Sequence, residues 1–194
     1  LTSVWVLASG ILAHAEVAAF KTEAAKGEVS FKAIGKPAFL KIEGKGEGPE
    51  GKIQIDGKKM SGTMTLSLKN LSTGIDLRDE HMKEKYLKVN ENPNAVLAFK
   101  EIELSEVFDG TRTTLGGTKL KGNLTLNGVT KPIDADLESK KSGNAFDVTS
   151  SFKVKLSEFN IAIPYYAGIT GADEVSIEGK TQLLPLVATP STAR

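Results

Sequence analysis

Hydrophobic and polar residues alternate with period two along most of this chain, the pattern of strands that keep one face dry. Val29 and Phe31 open the series, followed by Leu40 and Ile42, then Ile53 and Ile55. Met60, Gly62, Met64, Leu66 and Leu68 share one face of a longer strand. Ala95, Leu97 and Phe99 come next, then Leu120, Gly122, Leu124 and Leu126, then Ile133, Ala135 and Leu137. The longest stripe is Phe146, Val148, Ser150, Phe152, Val154 and Leu156, and the last is Val175, Ile177, Gly179, Thr181 and Leu183. Asp56-Gly57, Asp109-Gly110, Asn127-Gly128 and Ser142-Gly143-Asn144 are turn signals between them. Consecutive hairpins imply an antiparallel meander. Gly44 to Gly51, with Pro49, reads as a loop or a distorted hairpin.

Two stretches break the alternation. Between Leu71 and Leu87, residues Ile75, Met82, Tyr86 and Leu87 fall near helical spacing with charges between them. This predicts a short helical insertion near residues 75–87, placed as a lid or mouth. Asn160 to Gly171, containing Pro164, Tyr165 and Tyr166, predicts a second, irregular insertion near residues 160–171. About eight strands with too little helix to cover a sheet face must form a sandwich or a barrel. Lys119, Lys121, Lys153 and Lys155 on the polar faces are incompatible with surrounding lipid. The expected fold is therefore all-β, an extended antiparallel barrel in water. Gly62, Gly122, Ala135, Ser150 and Gly179 stand on inward stripes where bulk would be needed to fill the middle. That favours a hollow, apolar interior over a solid one in which the same glycines relieve bending.

Composition narrows the function. The 194 residues suit one domain, the net charge is +1, aromatic residues make up 6%, and there is no cysteine. Nothing here favours nucleic acid or an anionic surface, and thiol chemistry is excluded. Val4 to Leu12 is an apolar run, too short to span a membrane, followed by Ala13-His14-Ala15. This resembles the core and cleavage site of a secretory signal, although no basic residue precedes it and the sequence begins at Leu1. The expected organisation is a signal at 1–15 cleaved after Ala15, a lead-in at 16–27, a barrel domain at 28–185 and a flexible tail at 186–194.

Candidate chemistry is sparse. Gly46-Glu47-Gly48-Pro49-Glu50-Gly51 spells a dinucleotide fingerprint, but a strand pattern follows it, Pro49 lacks an amide donor and two glutamates would repel phosphate. No metal site, cofactor or catalytic residue is expected. Arg78, Asp79 and His81 form either a structural cluster fixing the insertion or a contact for a polar head group at the mouth. His81 acting as a base on a lipid or ester lacks a local nucleophile. A solid barrel that binds a partner is the remaining alternative. Met64, Leu66, Leu97, Phe99, Leu124, Leu126, Phe152 and Val154 are the expected cavity walls. Phe159, Ile163, Tyr165 and Tyr166 are expected to line or gate it from the second insertion. Burying ten methylene-sized groups yields roughly 8 kcal/mol before association costs, enough for apolar walls alone to hold a long chain.

Several segments together carry a family resemblance. They are Leu71-Ser72-Thr73-Gly74, Arg78-Asp79-Glu80-His81-Met82, Pro93 with Phe99, Gly122 through Pro132, and Asp173-Glu174-Val175. In this series the chain resembles the YceI-like family of bacterial periplasmic proteins from about residue 28 to residue 184. The resemblance implies a lipocalin-like barrel that binds a polyisoprenoid lipid, of isoprenoid-quinone or polyprenyl type, without enzymatic activity. It also implies export to the periplasm, a possible homodimer and a place for Arg78, Asp79 and His81 near the barrel mouth. The chain departs from the family pattern with Lys36 where an early-strand histidine is common.

Overall fold

The computed structural model describes residues 17–35, 41–108, 113–115, 118–166 and 169–186. In chain order its strands are β1 (Ala18–Thr22), β2 (Glu28–Ile34), β3 (Lys41–Glu47), β4 (Glu50–Asp56), β5 (Lys59–Ser67) and β6 (Asn94–Glu103). These are followed by β7 (Thr118–Leu126), β8 (Val129–Ser142), β9 (Ala145–Lys155), β10 (Tyr165–Tyr166), β11 (Ile169–Thr170) and β12 (Glu174–Pro185). One short helix, α1 (Asp76–Glu80), continues into a π-helical turn, His81–Tyr86.

β1 and β2 are two halves of one bent strand, and β3 and β4 are two halves of the next. β1 pairs with β4, β2 pairs with β3, and β12 pairs with both β1 and β2. From β4 the meander runs through β5, β6, β7, β8 and β9 to β12, which closes on β1. Each bent pair counted once, the result is a closed antiparallel barrel of 8 strands. Closure removes the exposed edges that an open sheet of this length would present.

The two bends lie side by side, and glycine makes this possible. The Gly48 amide donates to the carbonyls of Ala24 and Gly27, and a Cβ on Gly48 would come within 2.6 Å of Gly27 Cα. Gly44 to Gly51 is therefore neither a loop nor a hairpin, but a strand broken at Gly48 and Pro49. The dinucleotide-like spelling falls on this break, and β4 follows it rather than a helix. At the β7–β8 hairpin, Asn127 and Gly128 have φ of 49° and 73°, as the tight turn requires.

The segment expected as a lead-in contributes the barrel strand β1. Its Ala/Lys-rich composition conceals the alternation, because only Phe20 and Thr22 are buried. The Thr22 hydroxyl offsets its own burial by donating to the Pro49 carbonyl at 2.8 Å. Residues 1–16 and 187–194 lie outside the described residues, and with them the expected signal and most of the expected tail.

Polar residues face outward, where cross-strand pairs such as Lys32–Glu43 and Lys119–Asp136 form. Apolar residues face inward. One end of the barrel is sealed by Phe20, Phe108 and Phe146, whose ring centroids lie 5.8–6.0 Å apart in edge and tilted contacts. The other end carries both insertions. Among the described residues no helix is long and apolar enough to cross a membrane.

The hollow interior does not arise where the sequence pattern places it. A Cβ on Gly62 would approach the Lys52 carbonyl and the Phe99 ring at 2.8 Å, and one on Gly122 would meet Leu97 at 2.9 Å. These glycines admit close packing of neighbouring side chains, and Ala135 is buried in the same wall. A large residue at Gly122 would distort the barrel rather than plug it. Of the five small residues, the cross-strand pair Ser150 and Gly179 lines the open space.

Candidate functional site

A cavity of about 550 Å³ runs along the barrel axis, a size in the range of small-molecule sites. At mid-height it is bounded by Val29, Leu137, Ser150 and Gly179, and above them by Phe31, Leu97, Leu124, Phe152 and Ile177. Ala33, Leu66, Ala95, Leu126, Val154 and Val175 form the ring nearest the mouth. Registered pairs fix this ring: Leu66 with Ala95, Val154 with Val175, and Val175 with Ala33. Branched and aromatic side chains make the wall, and each comes from an inward position of an alternating strand.

The mouth is built by the first insertion. Ile75, Leu77, Arg78, His81, Met82 and Tyr86 all line the cavity. The Leu87 amide bonds to the Met82 carbonyl at 2.9 Å, the wider π spacing, which lets both His81 and Tyr86 face the axis. From the second insertion, Ile161, Pro164, Gly171 and Ala172 complete the rim. The Tyr165 amide donates to the Tyr86 hydroxyl at 3.2 Å, so the two insertions meet across the opening.

Asp79 braces this arrangement without lining the cavity. Ser72 Oγ donates to Asp79 Oδ2 at 2.6 Å, and the Thr73 amide donates to Oδ1 at 2.7 Å. Thr73 Oγ1 also donates to Oδ1, and Arg78 Nη2 donates to the Thr73 carbonyl at 3.0 Å. Partial burial pushes the Asp79 carboxyl up, but the donors from Ser72 and Thr73, together with Lys83, outweigh this and hold it below its ordinary value. The sign follows from linkage. Asp79 supports the folded mouth fully above the ordinary aspartate value of about 3.9, and this support is lost as pH falls through the lower folded value. Asp79→Ala is expected to remove about 1–2 kcal/mol from the insertion, since these bonds are partly solvated. Hydrogen exchange should then speed up roughly tenfold over residues 72–86 while the barrel strands stay protected.

The eight strand residues Met64, Leu66, Leu97, Phe99, Leu124, Leu126, Phe152 and Val154 all line the cavity, as do Arg78 and His81. Four others lie elsewhere. Phe159 is buried outside the axis, against Ile133 in the gap where β8 and β9 separate above the Asp136–Ser151 pair. The chain leaves the strand at a 3-10 turn from Leu156 to Phe159, so period-two extrapolation fails there. Ile163 is exposed and Tyr165 is 62% exposed, because Pro164 between them takes the inward position. Asp79 is the brace described above. The side chain of Tyr166 lies outside the described residues. The second insertion is also less irregular than its sequence suggests, since β10 and β11 form a small hairpin.

Two buried polar side-chain atoms have no hydrogen-bond partner among the described residues, Arg78 Nε and Thr181 Oγ1, and both residues line this cavity. Leaving a buried donor unmade is costly, so each is a position where a water or a ligand atom in the cavity can supply the missing bond. Thr181 was legible as the one hydroxyl on the inward stripe of β12, yet apolar periodicity alone gave it no role. Among the described residues, no group of three or more histidine or acidic side chains is placed to hold a metal ion.

Comparison with known proteins agrees with this architecture. A UPF0312 protein of Pectobacterium carotovorum is 29% identical over 174 residues, covering 83% of this chain and 84% of the relative. BcnA of Burkholderia cenocepacia has the same fold, with a TM-score of 0.67 at 17% identity over 83% of this chain and 98% of its own. A domain of Saccharophagus degradans described as polyisoprenoid-binding superposes with a TM-score of 0.64 at 14% identity, covering 86% of this chain and 98% of that domain. The family model described as the YceI-like domain matches residues 20–183, and the chain belongs to the YceI-like family.

Proposed function

We propose that this protein is a periplasmic binding or carrier protein, not an enzyme, that holds one long polyisoprenoid chain in its barrel. The observation that carries this reading is the apolar cavity inside the closed barrel, with a phenylalanine seal at one end and a polar-tipped mouth at the other. The chain lies along the axis with its tail toward Phe20 and Phe146, and its head group at Arg78 and His81. Arg78 Nε supplies a charged donor to a carbonyl or phosphate oxygen there. The likeness to a domain described as polyisoprenoid-binding supports an isoprenoid rather than a straight chain. The apolar run at Val4–Leu12 and the small residues after it support export.

Organic extraction of the purified protein, followed by mass spectrometry, tests the reading. A long unsaturated chain with an oxygen-bearing head is the expected product. Arg78→Leu is expected to weaken retention of the headed chain about tenfold, the loss of one charge-assisted bond, while leaving a headless hydrocarbon of equal length unaffected. A protein that purifies empty and takes up neither compound would contradict the proposal.

A further inference from the structure

The apolar surface does not end at the mouth. Ile75 and Leu77 line the cavity, yet they are 53% and 49% exposed, so the greasy wall continues outward over the rim. Near it, Ile34 stands at the mouth end of β2 on the outer face of the barrel, one residue beyond the rim residue Ala33, and Ile163 and Tyr165 point outward on either side of Pro164. Five of the eight large hydrophobic residues that are exposed among the described residues therefore stand at the mouth end of the barrel. The other three, Val17, Val107 and Leu186, lie at the opposite end of the barrel, beside Phe20 and Phe108.

We infer that this rim is a docking surface for a phospholipid bilayer, through which the chain passes directly between membrane and cavity. This rests on the lipid-binding reading above. A bilayer fits better than a protein partner because the rim is continuous with a cavity whose contents must otherwise cross water. A chain that moves along Ile75 and Leu77 stays in apolar contact throughout. The charge on the insertion is nearly balanced: Asp76, Asp79, Glu80 and Glu84 stand against Arg78, Lys83 and Lys85. Docking is thus apolar rather than electrostatic. It resembles the way interfacial elements lie on a membrane, and it needs no anionic lipid.

The test separates docking from chain binding. Cosedimentation of the full chain with dioleoylphosphatidylcholine vesicles reads docking, and uptake of a dansyl-tagged geranylgeranyl chain delivered from cyclodextrin reads the cavity. Ile34→Ser, Ile163→Ser and Tyr165→Ser are combined in one variant, since none of these side chains lines the cavity. The variant is expected to lose vesicle binding at least tenfold and to keep uptake from cyclodextrin. Wild-type binding is expected to persist at about 0.5 M salt, where surface charges are screened within a few ångströms. Docking is overturned if the variant sediments like the wild type, if binding requires anionic lipid and disappears in salt, or if the wild type takes up the chain but ignores vesicles. A wild type that docks but takes up no chain would overturn the cavity reading and leave the docking surface standing.

Discussion

Ser150→Trp is expected to lower affinity for a long apolar chain about a thousandfold while the barrel still folds. Ser150 sits at mid-height opposite Gly179, and a Cβ on Gly179 would meet Ser150 Oγ at 3.0 Å, so the serine side chain occupies the space that glycine leaves. An indole at this position projects into the open axis and not into packed wall, so the overpacking penalty is small. It divides the cavity and denies the chain its lower half. Losing about five methylene-sized groups at about 0.8 kcal/mol each removes about 4 kcal/mol, which is roughly three orders of magnitude in binding. Ser150→Ala leaves the space open and should bind like the wild type. Equal uptake by the tryptophan variant would mean that the chain lies elsewhere.

Phe146→Ala is expected to produce the largest loss of stability, about 3–5 kcal/mol. Phe146 is almost fully buried and contacts both Phe20 and Phe108, so its removal takes one ring contact from each of them and opens a void in the aromatic seal. At ordinary slopes for a chain of this size, the urea midpoint should fall by roughly 2 M. The variant should also admit a longer chain, because its cavity extends into the vacated space. A shift in the urea midpoint of less than about 0.5 M would show that the three rings do not form the seal.

The barrel was legible because alternation is dictated by the pleat. Once one face is dry, every second residue is fixed, and Asn127-Gly128 and Ser142-Gly143-Asn144 supply the turns between strands. For the same reason the strand residues from Met64 to Val154 fall on the cavity. Legibility ended where local chemistry does not set direction. β1 was hidden because its inward positions hold a single large apolar residue, Phe20, with the hydrogen-bonded Thr22. Phe159 follows a strand by only a few residues, but the 3-10 turn rotates it away from the axis. Gly62 and Gly122 look like gaps in one dimension, whereas in three dimensions Phe99 and Leu97 already occupy the space beside them. The partnerless Arg78 Nε was beyond reach, because a side chain's unmet hydrogen bond depends on contacts that no sequence pattern encodes.

Diffraction from crystals of the full chain held under xenon tests the central claim most directly, because xenon settles in dry apolar cavities. The expected result is ordered xenon on the barrel axis at the level of Val29, Leu137, Ser150 and Gly179, displaced by the indole in Ser150→Trp crystals. Side chains meeting across that axis, with no xenon between them, would contradict the account.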